Sequence, residues 1–592
     1  MADSNITHNK DEIRGCLERA ASALLSGRNP AGYWEGRLAS SPLATAVALA
    51  ALADGELSPR KTAKSFQYLS STQNSDGGWG DTEISKSNLA ATLLALSADA
   101  KSSGLEAAQR RRAEAYSEKL GGFAEGLRRV YGSDLTFQVP IRMTAACSGL
   151  LPWNRVDTLP FELALAPRGL MGALRLPVVS YALPALVSVG LARHRKAPSW
   201  MLPFRWLREA ISMRALDAIL KMQPQSGGYL EAIPLTAFCL LGLKAAGLNA
   251  HPVANGARRF LLDSQRDDGS WPVEVNLSVW NTTRAIDALA AAGLLETALT
   301  ERERAATRDW LLAQQTTGVS VYSDAHPGGW GWNHLSGSVP DADDTSGAIL
   351  ALRHLGVPAD HPAIATGSDW LVNLQNRNGG WPTFCRGWEK LPFDRSAPDL
   401  TAHALRALRV CGEGESKNET ASEKGWAYLR RVQRPDGALA PLWFGCEQAA
   451  DELNCTYGTT HVLFACAEAG AVKSPLAAAG LDWLRRIQNS DGGFGGSAGA
   501  KSSAEETGLA LRALRLCGVQ PGEDACVKGA KWLLERQRKD GSWNPTPIGF
   551  YFAVLWYYEE LYPLYYAIGG LGGLNGCAGA ARDAAEVAVH RA

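Results

Sequence analysis

Hydrophobic positions along the chain recur in amphipathic helical stretches that end in the same short polar phrase. The stretch WLRRIQ, for example, ends at Gln488, and a tight turn and an aromatic residue follow it. Asn, Ser, Asp and Gly favour turns, because Gly accepts a positive φ and Asp hydrogen-bonds its own backbone. The alternation of apolar and polar residues that marks strands is nearly absent. The pattern therefore predicts helix pairs joined by tight turns.

The phrase repeats along the whole chain, which makes it the organising unit of the fold. A GYW segment ending at Trp34 is interpreted as a decayed first copy. The other copies are QNSDGGW (73–79), QPQSGGY (223–229), QRDDGSW (265–271), QNRNGGW (375–381), QRPDGAL (433–439), QNSDGGF (488–494) and QRKDGSW (537–543). Two arrangements of repeated helix pairs remain open, an open solenoid or a closed ring around a cavity.

Length and composition restrict the class of protein. A chain of 592 residues exceeds one ordinary core and predicts two or more domains. Hydrophobic residues make up 46% and charged residues 20%, so disorder is not expected. Lys plus Arg and Asp plus Glu both number 60, which leaves no basic excess for a nucleic-acid partner. A neutral, apolar substrate fits this balance.

Cysteine usage and one apolar segment bear on location. Eleven cysteines without a CxxC pair indicate reduced thiols of the cytoplasm, and the polar N-terminus lacks the apolar core of a signal peptide. Residues 176–192 carry no charge, contain two prolines and precede four basic residues at 193–196. We expect residues 176–196, called the membrane-contact segment below, to take one of two positions. They lie in one leaflet at the cytoplasmic face, as in a monotopic protein, or they form a buried helix with a basic end.

The segment GGWGWNHLSGSVPDADDT holds three carboxylates, Asp341, Asp343 and Asp344. Carboxylates this close resist ionising together, so the pKa of at least one should rise. A carboxyl kept protonated in an apolar site can act as a Brønsted acid, which is what protonation of an unactivated alkene requires. A Ca²⁺ or Mg²⁺ loop and a solvated turn are the alternatives.

Asp-x-Asp-Asp-Thr after a Gly-Gly-aromatic phrase, together with the Gln…Trp repeats, resembles the squalene–hopene cyclases. The resemblance extends from about residue 32 to 566 and includes LPWNRVDTLPFELAL (151–165), NLSVWNTT (276–283), PDLTAHAL (398–405) and TYGTTHVL (456–463). It implies an all-α fold of two α/α-barrel domains, 12–274 and 275–575, with a cavity between them. It also implies a terpene cyclase that converts squalene into a hopene-type, hopanol-type or related cyclic triterpene.

The resemblance also implies roles for individual residues. Asp343 corresponds to the proton donor, and Asp341 to a companion that hydrogen-bonds His403 and so stays ionised. Asp344 and Asp399 correspond to further members of the polar cluster. Aromatic rings would stabilise the carbocations, although each could instead be ordinary core packing. The matching aromatic residues are Trp153, Trp280, Trp332, Trp443, Tyr457, Phe550 and Tyr558.

No metal or organic cofactor is expected for this reaction. Cys446, Cys455 and His461 suggest zinc, but their spacing lacks the usual close pairs and a fourth ligand. The expected partners are squalene or a related polyprenyl substrate and a membrane surface, and a homodimer is allowed.

Two other functions stay open. One is a class II cyclase of a prenyl diphosphate, which needs basic groups and usually Mg²⁺; no clear basic cluster accompanies the matched segments. The other is a non-catalytic helical-repeat protein that binds lipid. The chain also departs from the family pattern at Thr45, where no carboxylate follows the first tryptophan segment, and at Leu555, where an aromatic is expected. These departures leave the product skeleton open.

Overall fold

The computed structural model describes residues 2–132, 134–166, 182–198, 200–384, 392–411, 416–550 and 555–574. Within these ranges the chain is mainly helical. The helices of the N-terminal half are α1 (Ala2–Ser26), α2 (Pro42–Ala51), α3 (Pro59–Ser71), α4 (Leu89–Ser102), α5 (Ala107–Lys119), α6 (Leu127–Tyr131), α7 (Leu135–Cys147), α8 (Leu183–Lys196), α9 (Leu202–Met222), α10 (Ile233–Ala245) and α11 (Pro252–Asp263).

The helices of the C-terminal half continue the same alternation. They are α12 (Ser278–Ala291), α13 (Leu295–Ala298), α14 (Glu301–Ala313), α15 (Ala342–His354), α16 (Pro362–Leu374), α17 (Pro398–Arg409), α18 (Ser416–Val432), α19 (Cys455–Glu468), α20 (Pro475–Arg486), α21 (Ala504–Leu516), α22 (Asp524–Arg536) and α23 (Tyr562–Gly572).

The helices close into two rings, so the open solenoid is excluded. In the N-terminal ring α2, α4, α7, α8 and α10 pack in sequence, and α10 returns to α2. In the C-terminal ring α12, α15, α17, α19, α21 and α23 do the same, and α23 returns to α12. An outer layer packs behind each ring, which gives the expected pair of α/α barrels.

The first helix corrects the expected domain boundary. Helix α1 packs on α22 and α23 and therefore belongs to the outer layer of the C-terminal ring. The last repeat makes this connection, because Gln537 Nε2 donates a hydrogen bond to Cys16 O at 2.9 Å. The expected N-terminal domain, 12–274, thus loses its first helix to the other ring.

Each repeated phrase joins one helix pair to the next. Gln375 Nε2 donates to Gly379 O within its own turn and to Ala421 O on the next outer helix, both at 2.8 Å. The Trp381 indole donates to Leu371 O, and the Trp381 backbone N–H donates to Thr401 Oγ1 on the next inner helix. The turn, its own outer helix and the next helix pair are thereby held together.

The glycine of the phrase is required by close backbone approach. Gly379 has φ +92°, and a Cβ there would lie 2.4 Å from Lys424 O on α18. A residue with a side chain would both strain the turn and push the next outer helix away.

The first two copies of the repeated phrase in the C-terminal ring, at Trp34 and at Gln315, differ in sequence from the other copies. The Trp34 indole donates to Leu24 O and its backbone N–H to Thr282 Oγ1, which confirms this segment as a copy. Gln315 is a copy that the sequence did not reveal. Its Nε2 donates to Gly328 O and Ala363 O across a longer turn, and that insertion separates it from its tryptophan, Trp330.

A small antiparallel sheet lies between the rings. Its strands are β1 (Phe444–Cys446), β2 (Ile548–Phe550) and β3 (Leu555–Tyr557), in the order β1-β2-β3. Trp556 N donates to Asp81 Oδ2 of the N-terminal ring, and Lys86 N donates to Glu447 Oε1 beyond β1. These contacts place the N-terminal ends of the inner helices of both rings at one interface.

The described part of the predicted membrane-contact segment is buried in the N-terminal ring, which corrects the expectation that it lies in a membrane. Residues 167–181 lie outside the described residues, and the remainder forms α8, which packs on α10 inside the N-terminal ring. Val187, Val189 and Leu191 are fully buried. This part is the buried helix with a basic end, because its apolar side chains face the ring. No described helix has the length and hydropathy to cross a bilayer.

We expect Gln375→Ala to destabilise the protein by about 2–4 kcal/mol, because two buried carbonyls lose their donor. Denaturant unfolding followed by circular dichroism measures the loss. Gln520→Ala, at an exposed position, is the matched control and should change stability little. Equal unfolding curves for the two variants would contradict the joining role of the repeat.

Candidate active site

Acidic residues gather where the inner helices α15 and α17 begin. Asp341 caps α15: its Oδ1 accepts the backbone N–H groups of Asp343 and Asp344, both at 2.8 Å. Asp399 lies in the first turn of α17, one turn before His403, so the two side chains share a helix face. Helix N-termini favour negative charge, which suits carboxylates at these positions.

His403 contacts Asp343 and not Asp341, which corrects the expected pairing. The Nδ1 atom of His403 lies 2.5 Å from Asp343 Oδ1. The other ring nitrogen, Nε2, lies 2.9 Å from Arg284 Nη2 on α12. Asp341 is instead occupied by the backbone of its own helix, because the N-cap position aims its oxygen at the first turn.

Arg284 determines the tautomer of His403. A guanidinium only donates hydrogen bonds, so His403 Nε2 must offer a lone pair. The proton of the neutral ring then sits on Nδ1 and is donated to Asp343 Oδ1. Burial, followed by the charge of Arg284, lowers the pKa of His403 to about 4, which agrees with a neutral ring.

Asp343 is the accessible carboxyl of the Asp-x-Asp-Asp motif. Its side chain is 16% exposed, whereas Asp341 and Asp344 are buried. Burial raises its pKa, whereas the hydrogen bond from His403 and the charge of Arg284 lower it, and the balance leaves the pKa of Asp343 below its usual value. A low pKa means a strong acid once the proton is present.

The neighbouring carboxyls hold their protons more firmly. Burial raises the pKa of Asp341 to about 7, and a hydrogen bond with Asp344 limits the rise. Burial and the charge of Asp341 raise the pKa of Asp344 well above its usual value. Burial and the charge of Asp343 raise the pKa of Asp399 to about 7. The cluster therefore combines one carboxyl of lowered pKa with three neighbours of raised pKa.

Two predicted aromatic residues adjoin the acid cluster but are covered. The Arg284 guanidinium lies 4.5 Å from the centroid of Trp280, and Phe444 stacks on Trp280 at 5.9 Å. Tyr457 packs against Phe444 at 4.6 Å and stacks on His461 at 4.1 Å. Trp280 and Tyr457 are both buried, so they present little free ring surface to a substrate.

The other predicted aromatic residues make contacts in several parts of the two rings. Half-buried Trp332 donates its indole N–H to Glu274 Oε1 near the N-terminal ring, and half-buried Trp443 packs against Phe393. Trp153 begins a short turn of the N-terminal ring, and Tyr558 donates to Glu83. The backbone of Phe550 lies in β2, and its side chain is outside the described residues.

The residues that suggested zinc do not converge. His461 Nδ1 donates to the Tyr457 carbonyl at 2.9 Å, and Cys455 accepts from Arg434. Across the described ranges, no three His, Cys, Asp or Glu side chains are arranged to hold a metal ion.

Family models match both halves of the chain. The squalene-hopene cyclase N-terminal domain model matches residues 17–182, and the C-terminal domain model matches residues 276–570. The chain belongs to the squalene–hopene cyclase family.

Individual relatives support the family assignment. The squalene–hopene cyclase of Bradyrhizobium diazoefficiens is 26% identical, over 85% of this chain and 86% of that protein. The enzyme of Alicyclobacillus acidocaldarius is 27% identical, over 89% and 92%. The fold matches ent-copalyl diphosphate synthase from Streptomyces platensis with a TM-score of 0.58 and 19% identity, over 96% and 99% of the two chains. The protein is thus an enzyme of the terpene cyclase class.

Sequence reasoning missed Arg284 and Phe444. Arg284 lies one helical turn after Trp280 in a buried helix, directly after the matched segment 276–283, and it is a single basic residue, not a basic cluster. A charged residue in a helix of mainly uncharged residues was the available signal. Phe444 offered none, since its contacts with Trp280 and Tyr457 depend on the position of β1.

We expect Asp344→Asn to reduce the loss of stability at high pH. A carboxyl whose folded pKa is raised contributes stability below its unfolded pKa of about 4, and that contribution is lost as pH rises toward the folded value, by about 1.4 kcal/mol per pH unit. Thermal unfolding at about pH 5 and about pH 8 measures the difference. Asp309→Asn, at an exposed position, should follow the unmodified protein. Parallel curves for all three proteins would contradict the protonated state of Asp344.

Proposed function

We propose that the protein is a triterpene cyclase that protonates the terminal alkene of squalene, or of a closely related polyprene, with Asp343. The observation that carries the proposal is the position of Asp343. It is the accessible carboxyl of the motif, it accepts a hydrogen bond from a neutral His403, and its neighbours are buried. Family membership supports a polyprene as the substrate.

Cyclisation to an isomer conserves the atoms of the substrate, and only formation of an alcohol consumes a water molecule. The O–H bond of Asp343 breaks as its proton forms a C–H bond with one alkene carbon, and a tertiary cation forms at the other. Each following alkene donates its π electrons to the cation and forms a ring C–C bond. Loss of a proton from the last cation gives an isomer of the substrate, whereas capture by water gives an alcohol. Asp343 is left as a carboxylate and must regain one proton.

The surroundings of Asp343 suit the protonation step. His403 and Arg284 stabilise the carboxylate that protonation leaves behind, which makes the acid strong. Asp344, with its raised pKa, keeps its proton and so adds no second negative charge beside that carboxylate.

We place the protein on a membrane, at a different surface from residues 176–196. Apolar side chains are exposed where α9 begins: Trp200 (89%), Leu202 (57%), Trp206 (72%) and Leu207 (57%). Exposed Arg205 and Arg214 accompany them, as expected for contact with anionic head groups. A patch of large apolar side chains rimmed by basic residues is typical of a membrane contact, and a polyprene reaches the enzyme from a bilayer.

The cytoplasmic face is the side we propose. Within the described ranges the cysteines form no disulfides with one another, as in a reducing compartment.

The proposed activity predicts that the unmodified protein converts squalene into a cyclic isomer or hydrate, whereas Asp343→Asn lowers the rate by at least about a thousandfold. Asparagine keeps the shape of the side chain but cannot supply the acidic proton. Gas chromatography–mass spectrometry of extracts from detergent-solubilised enzyme measures the product and identifies its skeleton.

Asp309→Asn is the control and should keep full activity. Oxidosqualene, and geranylgeranyl diphosphate with Mg²⁺, are the comparison substrates. A product from the diphosphate alone would overturn the squalene assignment, and equal activity of Asp343→Asn would overturn the role of Asp343.

The membrane contact predicts that the double variant Trp206→Glu, Leu207→Glu binds anionic liposomes several-fold less than the unmodified protein, since two carboxylates replace apolar anchors. Cosedimentation measures binding, and turnover of detergent-solubilised squalene should persist. Val319→Glu, at an exposed apolar position of the C-terminal ring, is the matched control. Equal binding by the double variant would exclude this surface.

A further inference from the structure

Arg284 is a buried cation without a carboxylate partner among the described residues. Its residue is 4% exposed, and its Nε has no hydrogen-bond partner in the described structure. Its contacts are His403 Nε2 at 2.9 Å and the face of Trp280 at 4.5 Å. Burying a charge without an ion pair is costly, so a cation in this position calls for a chemical reason.

The contacts form a chain from the cation to the acid. Arg284 donates to His403 Nε2, and His403 Nδ1–H donates to Asp343 Oδ1. Because Oδ1 is the acceptor of this chain, a proton on Asp343 is carried by Oδ2. The chain is most favourable when Asp343 is a carboxylate, since each donor then points at increasing negative charge.

The other titratable groups around His403 and Asp343 do not cancel the effect of the Arg284 charge on these two residues. The titratable groups that face Asp343 and His403 are Asp341 and Asp344 from α15, Asp399 and Arg406 from α17, Tyr457 and His461 from α19, and Tyr566 from α23. Arg406 is paired with Glu468 at 2.8 Å and with Asp287 at 3.3 Å. Burial lowers the pKa of His461 to about 3, so that ring is neutral. Arg284 is therefore the unpaired cation that acts on the pair.

We propose that Arg284 is a positioning residue that acts through His403: it fixes the Nδ1–H tautomer, places the reactive proton on Asp343 Oδ2 and strengthens Asp343 as an acid. This inference rests on the proposed function, because it assigns Asp343 as the proton donor. Trp280 then serves to hold the guanidinium from its ring face, and not primarily to stabilise a carbocation.

Gly347 makes the approach of Arg284 possible. A Cβ at this position in α15 would lie 3.1 Å from Arg284 Nη2 and 2.9 Å from Thr283 Oγ1. Glycine inside a helix costs about 1 kcal/mol relative to alanine. Its presence in the middle of α15 is explained by the space that Arg284 and Thr283 occupy.

The decisive experiment compares Arg284→Gln, Arg284→Lys and the unmodified enzyme in the pH dependence of kcat and kcat/KM with squalene. Glutamine keeps a hydrogen-bond donor but removes the positive charge, so Asp343, which is hydrogen-bonded to His403, binds its proton more readily. The fall in activity with rising pH should move to higher pH by about one unit or more. The rate at the acidic plateau should drop by about tenfold or more, since the acid is weaker.

Arg284→Lys retains the charge and should keep the pH profile close to that of the unmodified enzyme, with a lower rate. Arg512→Gln is the matched control, because Arg512 is a partly buried arginine of the same ring that pairs with Asp287. It should lower stability without moving the pH profile. A rate loss in Arg284→Gln at an unchanged pH profile would overturn the proposal.

A second measurement separates this inference from the proposed function. A double-mutant cycle of Arg284→Gln and Asp343→Asn in thermal unfolding does not depend on turnover. We expect the double variant to be clearly more stable than the sum of the single changes predicts, because both ends of one chain are removed. Additive effects would overturn the coupling even if squalene is the substrate. If the coupling is observed but the enzyme converts no polyprene, only the proposed function is overturned.

Discussion

The hydrogen bonds of the repeated Gln-turn-Trp phrase are the constraint on which the architecture depends. A single glutamine side chain satisfies the carbonyl of its own turn and a carbonyl of the next outer helix, as Gln375 does with Gly379 and Ala421. The tryptophan then fixes the preceding outer helix and the next inner helix. Because each copy specifies where the next pair lies, repetition closes a ring, and Gln537 completes it by reaching back to Cys16.

Ring closure in turn creates the setting for the chemistry. The turns place the N-terminal ends of the inner helices together at the interface between the rings, where helix dipoles favour negative charge. Asp341 caps α15 there and holds its first turn. Asp343 is left free to meet His403 from α17 and, through it, Arg284 from α12. Three helices distant in sequence thus define one acid.

Burial gives the chemically similar carboxyls of this cluster different roles. Asp341, Asp344 and Asp399 have raised pKa values because the cost of ionising them in the interior outweighs the interactions that favour their ionised forms. Asp343 differs because His403 and Arg284 stabilise its anion. Differential stabilisation of this kind separates a strong acid from its proton-holding neighbours. The covered face of Trp280 belongs to the same arrangement, since it holds the guanidinium.

The sequence alone determined the helix pairs, the closing phrase, the family and the identity of the acidic motif, because these depend on local turn chemistry and on short contiguous segments. It could not determine that α1 completes the C-terminal ring, that Gln315 is a further copy, or that His403 pairs with Asp343 while Asp341 caps a helix. Arg284, Phe444 and the exposed start of α9 acquire meaning only from neighbours far away in the chain. Tertiary structure decided these features, because burial and charge pairing depend on which helices pack together.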